Sequence, residues 1–480
     1  MAPPPRIGPT TRVTVMGLGS FGGGVGLTRY LVQQGAQVTV TDLQPAAALQ
    51  AALEALQDLP VRLVLGEHRE ADFIDTDVVF VNPAVPLTSP YLTLARAHHV
   101  PWDSEINLFV RQCPGRIIGI TGSVGKSTTT SLLGSMLQSH DARTLVGGNL
   151  GGSLLSRLAT ITPETPVVLE LSSFQLEHLA WQGYSPPLAV VLNLAPNHLD
   201  RHGTMAAYER AKAGILAYQT PAHTAILNWD EAAVRRMADY GRGQRLYYSM
   251  DTVLTQGVYR HNDSVIHVGN GASTVLFHQS DVALRGAHNL GNAAAAAAAA
   301  TCFGVPPDAI VHGLRRFQGL AHRLERIATK AGVQYYNDSK ATTPLSTIRA
   351  LEAFEQPVVL LAGGYDKGTP FDELARVIHR SAKATVVYGA TAPKLMQALE
   401  QAARTAPGPT TTQVVHCAAL AQALHQAVSL TVPGDVVLLS PACASYDQFP
   451  HYEARGTYFR NLVEALPEQA EQPVVDPEIA

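Results

Sequence analysis

The chain has 480 residues, with 35 lysines and arginines against 39 aspartates and glutamates, so its formal net charge at pH 7 is −4. This balance, without a long basic run, argues against nucleic acid as a partner, and no apolar stretch is long enough to span a membrane. The four cysteines are scattered without a CxxC pair, which argues against a zinc ribbon and fits a reducing compartment. We therefore expect a cytoplasmic protein of about three domains.

The first block, residues 1–110, has the pattern of a Rossmann-like domain. A strand over Val13–Met16 leads into the glycine turn Gly17–Gly22, a helical pattern follows, and a second strand over Gln37–Thr41 ends at Asp42. A strand, glycine turn, helix and strand, with an acid about 20 residues after the last glycine, form the dinucleotide-binding fingerprint. The amides of such a turn bind any diphosphate, so NAD and a UDP-sugar both stay open as its ligand.

The second block, residues 111–318, contains the most informative motif of the chain. The apolar run Arg116–Ile118 leads into Gly119–Thr128 (GITGSVGKST), although the strict spacing would place a glycine at Ile120. Strand, glycine-rich loop and Gly-Lys-Ser entering a helix are the context of a P-loop, in which amides wrap a triphosphate, a lysine neutralises charge and a serine hydroxyl binds Mg²⁺. The sequence therefore predicts a central nucleotide-binding α/β domain with a mostly parallel sheet.

Polar residues also follow two apolar strands of this block. Glu170 ends the strand Val167–Glu170, where a carboxylate beside a nucleotide is suited to Mg²⁺; an acid favoured by the dipole of the following helix is the alternative. The segment Ala195–Gly203 follows a strand predicted over Ala189–Asn193, and its polar side chains predict a site at the end of that strand. Spacing alone makes Lys212, on a predicted helix, an ordinary solvated lysine.

The end of the block carries two further features. Pieces between Arg245 and Arg285 alternate in polarity and predict short antiparallel strands. Asn289 and Asn292 then stand three residues apart at the start of an alanine-rich helix. Their amides would bind a base or ribose, or else cap the helix.

The third block, residues 319–466, predicts a further α/β domain. Three polar segments, Asn337–Thr343, Gly363–Gly368 and Ser440–Phe449, each follow an apolar strand. Because ligands bind at the carboxyl ends of strands in open α/β sheets, the three segments together predict a second ligand site, in which lysines would bind a carboxylate or phosphate.

An arginine near the start of the third block leaves two alternatives open, and a polar tail follows the block. Arg323 stands at the start of the block, where it would reach a γ-phosphate or form an ion pair with Glu325. The tail, residues 467–480, is rich in proline, glutamate and glutamine, and we expect it to be disordered.

The ordered motifs of the chain resemble those of the Mur ligases, ATP-dependent enzymes that add amino acids to UDP-N-acetylmuramic acid during peptidoglycan synthesis. The resemblance covers nearly the whole chain apart from the two tails. The motifs that carry it are GxxGxxGKST, ELSSFQLE, NHLDR, YxxAK, HNxxN, HRxE, NDSKAT and SPACASxDQF. Val124 and Asn197 depart from the family's usual Asn and Asp, and Tyr446 and Tyr452 replace residues that are often Phe or Leu.

The resemblance implies a role for individual residues. The first domain would hold the UDP moiety, the second ATP and two Mg²⁺ ions, and the third D-glutamate. For the UDP substrate the implied residues are Ser20, Phe21, Gly22, Asp42, Asn82 and, on substrate or phosphates, Asn149. For ATP they are Gly122, Ser123, Val124, Gly125, Lys126, Ser127, Thr128, Asn289, Asn292, His322, Arg323 and Asp338. For D-glutamate they are Lys340, Thr342, Lys367, Ser445, Tyr446 and Tyr452, and for metal Ser127, Glu170, His198 and Lys212. Lys126, His198, Lys212, Arg323 and Lys340 would be catalytic, with Lys212 carbamylated.

The activity implied is addition of D-glutamate to UDP-N-acetylmuramoyl-L-alanine through an acyl phosphate, in a monomeric cytoplasmic enzyme of cell-wall synthesis. The Ser440–Phe449 segment favours glutamate over lysine or diaminopimelate, but a Mur-type ligase for another amino acid stays an alternative. A nucleotide-sugar or NAD-dependent oxidoreductase would use the first domain alone and would leave the P-loop unexplained. A non-catalytic nucleotide-binding module is the third possibility.

Overall fold

The computed structural model of the protein describes residues 5–19, 22–269, 271–366, 368–406, 408 and 411–468. The chain forms two compact units. The first comprises Met1–Val282 and Leu290–Phe317, and the second comprises Ala283–Asn289 and Gln318–Ala480. Among the described helices, none is both long and apolar enough to cross a bilayer.

The first unit begins with a five-stranded parallel sheet in the order β3-β2-β1-β4-β5. This is the strand order of the dinucleotide-binding half-fold, in which the ligand lies beyond the carboxyl end of β1. Helices cover both faces, so β4 is buried along its whole length. The strands are β1 (Arg12–Met16), β2 (Gln37–Asp42), β3 (Val61–Leu65), β4 (Val78–Val81) and β5 (Trp102–Asp103), and the helices are α1 (Gly23–Gln33), α2 (Gln50–Glu54), α3 (Ala71–Ile74), α4 (Pro90–Ala97) and α5 (Glu105–Gln112).

The same unit contains a nine-stranded sheet in the order β14-β13-β12-β11-β10-β9-β6-β8-β7. The strands are β6 (Arg116–Thr121), β7 (Leu145–Gly148), β8 (Pro166–Glu170), β9 (Leu188–Val191), β10 (Thr224–Asn228), β11 (Gln244–Ser249), β12 (Gly257–His261), β13 (Ser264–Gly269) and β14 (Ala272–His278). Helices α6 (Lys126–Gln138), α7 (Ser173–Trp181), α8 (Leu199–His202), α9 (Met205–Ala217), α10 (Ala232–Met237), α11 (Ala287–Cys302) and α12 (Pro307–Arg316) accompany them. The predicted parallel core is confirmed, because β6 pairs in parallel with both β8 and β9.

Two predictions about this sheet need correction. The antiparallel strands expected between Arg245 and Arg285 are found as β12–β14, but β11 runs parallel to β10 and extends the main sheet. The strand predicted over Ala189–Asn193 ends at Val191. Its partner strand β6 ends at Thr121, and the Asn193 side chain bonds the backbone of the P-loop that follows.

The second unit is built on a six-stranded sheet in the order β15-β16-β20-β17-β18-β19, parallel except for the antiparallel edge strand β15. Strands β16, β20 and β17 are neighbours, so the three polar segments that follow them meet at one edge of the sheet. The strands are β15 (Glu325–Lys330), β16 (Val333–Asn337), β17 (Val358–Gly363), β18 (Ala382–Tyr388), β19 (Gln413–Cys417) and β20 (Val436–Leu439), and the helices are α13 (Pro344–Leu351), α14 (Asp372–Ser381), α15 (Ala392–Thr405), α16 (Leu420–Ser429) and α17 (Tyr452–Glu464).

Candidate active site

The P-loop joins β6, which ends at Thr121, to α6, which begins at Lys126. Gly125 precedes the helix with φ of +84°, in the left-handed region that favours glycine. A Cβ atom there would lie 2.5 Å from the side-chain oxygen of Asn292. The side-chain oxygen of Asn292 also accepts a hydrogen bond from the Thr129 hydroxyl at 3.3 Å. Asn292 therefore lies beside the P-loop.

Side chains hold the P-loop in shape from both sides. Asn193 Oδ1 accepts hydrogen bonds from the backbone N–H groups of Ser123 and Val124, both at 3.0 Å, and its Nδ2 donates to the Val124 carbonyl at 3.0 Å. Lys126 Nζ donates to the carbonyl oxygens of Gly122 at 2.8 Å and Ser123 at 3.0 Å. The lysine charge therefore lies over the loop, where a bound phosphate chain would compete for it.

Lys212 lies against the same loop, which corrects the reading of this residue from spacing alone. Its side chain is only 1% exposed, and its Nζ donates to the Gly122 carbonyl at 2.8 Å and to Thr121 Oγ1 at 3.4 Å. Burial lowers the pKa of Lys212 well below its ordinary value; the nearby Lys126 charge lowers it further and Glu170 opposes the shift. A lowered pKa favours the unprotonated amine, which is the nucleophilic form.

Glu170, at the end of β8, is the acidic group of this site. One of its carboxylate oxygens, Oε1, accepts a hydrogen bond from Asn149 Nδ2 at 2.8 Å. The other, Oε2, is buried without a hydrogen-bond partner among the described residues. A buried carboxylate oxygen without such a partner costs free energy unless a cation or water takes it up.

His198 and Asn289 have their described contacts elsewhere. His198 is exposed, adopts a left-handed conformation with φ of +53°, and its ring lies edge-on to that of Phe174 at 5.1 Å. In the second unit, Asn289 Nδ2 donates to the Arg285 carbonyl at 2.7 Å. Asn289 and Asn292 lie on one helix, as predicted, but these bonds engage them with different parts of the chain.

Asp42, at the end of β2, bonds the glycine turn that follows β1. Asp42 is buried, and its two carboxylate oxygens accept the N–H groups of Leu18 at 2.8 Å and Gln44 at 2.9 Å. Asn82 covers the turn from β4, since a Cβ on Gly19 would lie 2.7 Å from Asn82 Nδ2. Gly22 precedes α1 with φ of +78°. Ser20 and Phe21, predicted at this turn, lie outside the described residues.

In the second unit, Asp338 is the centre of a buried polar network. Its carboxylate accepts the Ser440 hydroxyl at 2.8 Å and the Leu324 N–H at 3.2 Å. Burial raises the pKa of Asp338 to about 7, against the opposing effects of these bonds and of the charges of Arg323 and Arg455. His322 lies beside this network, with its Nδ1 2.9 Å from Asn337 Nδ2.

The predicted amino-acid residues surround the three polar segments. Lys340 Nζ lies 5.2 Å from the centre of the Tyr452 ring, and the buried Ser445 Oγ has no hydrogen-bond partner among the described residues. Tyr446 is exposed and meets the Tyr365 ring at 5.9 Å. The Thr342 N–H donates to the carbonyl of Lys340 at 2.9 Å. Lys367 lies outside the described residues.

Sequence reasoning missed Asn193, described above, and Arg455. The guanidinium of Arg455 is fully buried and donates to the hydroxyl and carbonyl of Ser339 and to the carbonyls of Cys443 and Ala444. It therefore ties two of the polar segments together. A polar residue at the end of an apolar strand was a usable signal for Asn193, whereas nothing local singles out Arg455 on its helix.

Comparison with known proteins identifies the family. The chain matches the Mur ligase MurD-like N-terminal domain over residues 11–102, the Mur ligase middle domain over 120–300 and the Mur ligase glutamate ligase domain over 322–443. It is 45% identical to a UDP-N-acetylmuramoylalanine–D-glutamate ligase of Roseiflexus, covering 95% of this chain and 98% of the relative. The chain belongs to the Mur ligase family. A ligase of the same name from Koribacter versatilis is 40% identical over the same shares.

Solved structures of Mur ligases share the fold. A UDP-N-acetylmuramate–alanine ligase from Thermotoga maritima aligns with a TM-score of 0.62 at 18% identity, covering 95% of this chain and 100% of the other. A MurF protein from Acinetobacter baumannii aligns with a TM-score of 0.58 at 19% identity, covering 94% of this chain and 93% of the other. The three-domain α/β architecture predicted from the sequence is thereby confirmed.

Mur ligases use ATP and Mg²⁺, and the residues of this chain fit both. The P-loop supplies backbone amides and Lys126 for a triphosphate. The Glu170 oxygen that has no hydrogen-bond partner among the described residues is the kind of hard anionic donor that Mg²⁺ prefers. No group of three or more His, Cys, Asp or Glu side chains suited to a metal occurs within the described ranges.

Proposed function

We propose that this Mur ligase joins D-glutamate to UDP-N-acetylmuramoyl-L-alanine with conversion of ATP to ADP and phosphate. The observation that carries the proposal is the near-full-length match to ligases of that name. A P-loop and three polar segments at one edge of the six-stranded sheet of the second unit support it. The family membership does not support the oxidoreductase alternative, which used the first domain alone.

The reaction needs an activated carboxyl group, because a free carboxylate repels nucleophiles. A carboxylate oxygen of the UDP substrate attacks the γ-phosphorus of ATP, the bond to the β-phosphate oxygen breaks, and ADP leaves. The unprotonated amine of D-glutamate attacks the acyl phosphate carbon and the carbon–oxygen bond to phosphate breaks. The amide forms as phosphate departs and the nitrogen loses a proton to solvent. Lys126 and Arg323 would neutralise charge during the phosphoryl transfer.

The metal and its ligands are a finer part of the proposal. Ser127, Glu170, His198 and carbamylated Lys212 would hold two Mg²⁺ ions, which would shield the phosphate charge. The lowered pKa of the buried Lys212 amine supports carbamylation, because it favours the unprotonated form with which CO₂ reacts. The remaining ATP contacts would come from Gly122–Thr128, Asn289, Asn292, His322 and Asp338.

The substrate contacts are proposed on the same basis. The turn at Gly22, together with Ser20, Phe21, Asp42, Asn82 and Asn149, would hold the UDP substrate. The amino-acid pocket would use Lys340, Thr342, Lys367, Ser445, Tyr446 and Tyr452. The buried Ser445 hydroxyl supports this pocket because a ligand would satisfy it. We also propose a monomer acting in the cytoplasm, which light scattering and fractionation would check.

The decisive experiment measures phosphate release from ATP with UDP-N-acetylmuramoyl-L-alanine and Mg²⁺ while the amino acid is varied. We expect release with D-glutamate and only background release with L-glutamate, L-lysine, diaminopimelate or no amino acid. Preference for another amino acid would support the alternative Mur-type ligase. Absence of release with every amino acid would refute the ligase activity.

A further inference from the structure

The segment that carries His198 has little stability of its own. It comprises the single-turn helix α8, preceded by His198 in a left-handed conformation, and no side-chain hydrogen bond caps this helix. Because one helical turn is unstable in isolation, tertiary contacts must set the position of His198.

The ring of Phe174 is the first of these contacts. His198 lies edge-on to it at 5.1 Å, His202 stacks on it at 5.5 Å, and the Arg201 guanidinium lies 5.1 Å from its centre. Phe174 is itself held at the start of α7 by a capping box between Ser172 and Gln175. The ring therefore gives the segment a fixed surface on which to pack.

His202 fastens the end of the segment to the same helix. Its Nε2 lies 3.0 Å from the Ser173 hydroxyl, and its Nδ1 lies 3.4 Å from Glu177 Oε1. The His202 side chain is 2% exposed. These bonds fix one end of α8 but do not connect it to the first sheet.

Arg201 makes that connection. Its Nη1 and Nη2 donate to the backbone carbonyls of Ala84 and Val85, each at 3.1 Å. The two carbonyls belong to the segment that follows β4 and begins at Asn82, whose Oδ1 accepts the Ala84 N–H at 3.0 Å. Asn82 in turn covers the glycine turn of β1. The Arg201 guanidinium thus connects the segment that covers the glycine turn to the backbone that carries His198.

We propose that Arg201 is a positioning residue that sets the distance between the UDP-substrate turn and His198. This inference rests on the proposed function, in which the turn holds one substrate and His198 a metal at the phosphate. The substrate carboxylate must meet the γ-phosphate in line, and a misplacement of about 1 Å costs as much as a hundredfold in rate. Arg201 fixes the distance between the turn that would hold the UDP substrate and His198.

The geometry requires arginine rather than any cation. The Arg201 guanidinium bonds the Ala84 and Val85 carbonyls through separate nitrogens, and it packs on the Phe174 ring. A lysine ammonium keeps the charge but has neither the fork nor the planar face. Arg201→Lys is therefore the informative variant, and Arg201→Met removes the charge as well.

A matched control exists in the same unit. Arg235 also lies over an aromatic ring, 5.4 Å from the centre of Trp229, and also donates to a backbone carbonyl, that of Trp229. It makes these contacts at the end of α10, and we assign it no role in substrate or nucleotide binding. Arg235→Lys reports what the loss of a stacked guanidinium does by itself.

The test compares these variants with the wild-type chain. Calorimetry measures the Kd of UDP-N-acetylmuramoyl-L-alanine and of ATP separately, and phosphate release gives kcat and KM. For Arg201→Lys we expect the Kd and KM of the UDP substrate to rise about tenfold, which corresponds to about 1.4 kcal/mol, and kcat to fall, with the Kd of ATP and the melting temperature unchanged. Arg235→Lys should leave all of these values unchanged.

Two results would overturn the inference: Arg201→Lys kinetics equal to those of the wild type, or equal weakening of both substrates together with a lower melting temperature. If the wild-type chain itself releases no phosphate, the proposed function fails instead. UDP-substrate binding by calorimetry still tests Arg201 in that case, because it does not require turnover.

Discussion

Replacing Lys212 by methionine separates a chemical role of this residue from a structural one. Methionine has a similar length and no charge, so it fills the same space without a buried amine. The two groups that accept hydrogen bonds from Lys212 keep other hydrogen-bond partners in the variant. The Gly122 carbonyl still accepts Lys126 Nζ at 2.8 Å, and the Thr121 hydroxyl still donates to the Leu171 carbonyl at 2.8 Å.

The expected change in stability is therefore small, whereas the expected change in kcat is large. No buried acceptor is stranded and one costly buried amine is removed, so the free energy of unfolding should stay within about 1 kcal/mol of the wild type or increase. If the carbamate of Lys212 holds a metal at the phosphate, kcat should fall at least about a thousandfold, or about 4 kcal/mol in the activation barrier.

The assays are phosphate release at saturating substrates, urea unfolding, and carbon NMR of protein equilibrated with ¹³C-bicarbonate. We expect a carbamate signal that is absent from Lys212→Met, and partial recovery of Lys212→Ala activity by short-chain carboxylates. Acid should abolish the signal, because protonation of the amine releases CO₂. Lys330→Met is the control: Lys330 is also buried and donates to two backbone carbonyls, at 2.7 and 2.6 Å. This control should lower stability and leave kcat unchanged.

Normal turnover by Lys212→Met would refute the reasoning. So would a loss of kcat that merely follows a loss of folded protein, since the contacts predict that the two quantities separate.

Three further outcomes follow from local geometry. Gly125→Ala should cost about 1–2 kcal/mol of unfolding free energy and raise the KM of ATP, because φ is +84° and the new Cβ would lie 2.5 Å from Asn292 Oδ1; urea unfolding and kinetics check this, and unchanged values would contradict it. Glu105 has its pKa raised by burial to about 7, opposed by the Ser153 hydroxyl. Between pH 4.5 and 7 the folded state thus binds more protons than the unfolded state, so stability should fall as pH rises, by up to about 3 kcal/mol; Glu105→Gln should remove this component, and parallel pH–stability curves would count against it. Ser445→Ala should raise the KM of D-glutamate about tenfold without lowering the melting temperature, because the buried hydroxyl has no hydrogen-bond partner among the described residues; a lower melting temperature with unchanged KM would disprove the assignment.

The sequence by itself determined the local units of this protein. Strand, turn and helix around Gly17–Gly22 and around Gly122–Lys126 are formed by residues adjacent in the chain, so glycine positions and apolar runs predict them. The three polar segments of the second unit were also predictable, because each follows a run of apolar residues. Their meeting at one sheet edge follows from the rule for parallel strands once the strand order is known.

Only the tertiary structure decided what the isolated side chains do. Lys212 is an ordinary helix lysine until β6 and the P-loop bury it and lower its pKa. Asn193, Arg201 and Arg455 act on backbone carbonyls and amides tens to more than a hundred residues away in the chain. Asn193 follows an apolar strand, but no local pattern shows which backbone groups these three residues bond, because any polar side chain can meet a distant backbone group. Burial and spatial proximity, which fix their roles, exist only after the sheets have packed.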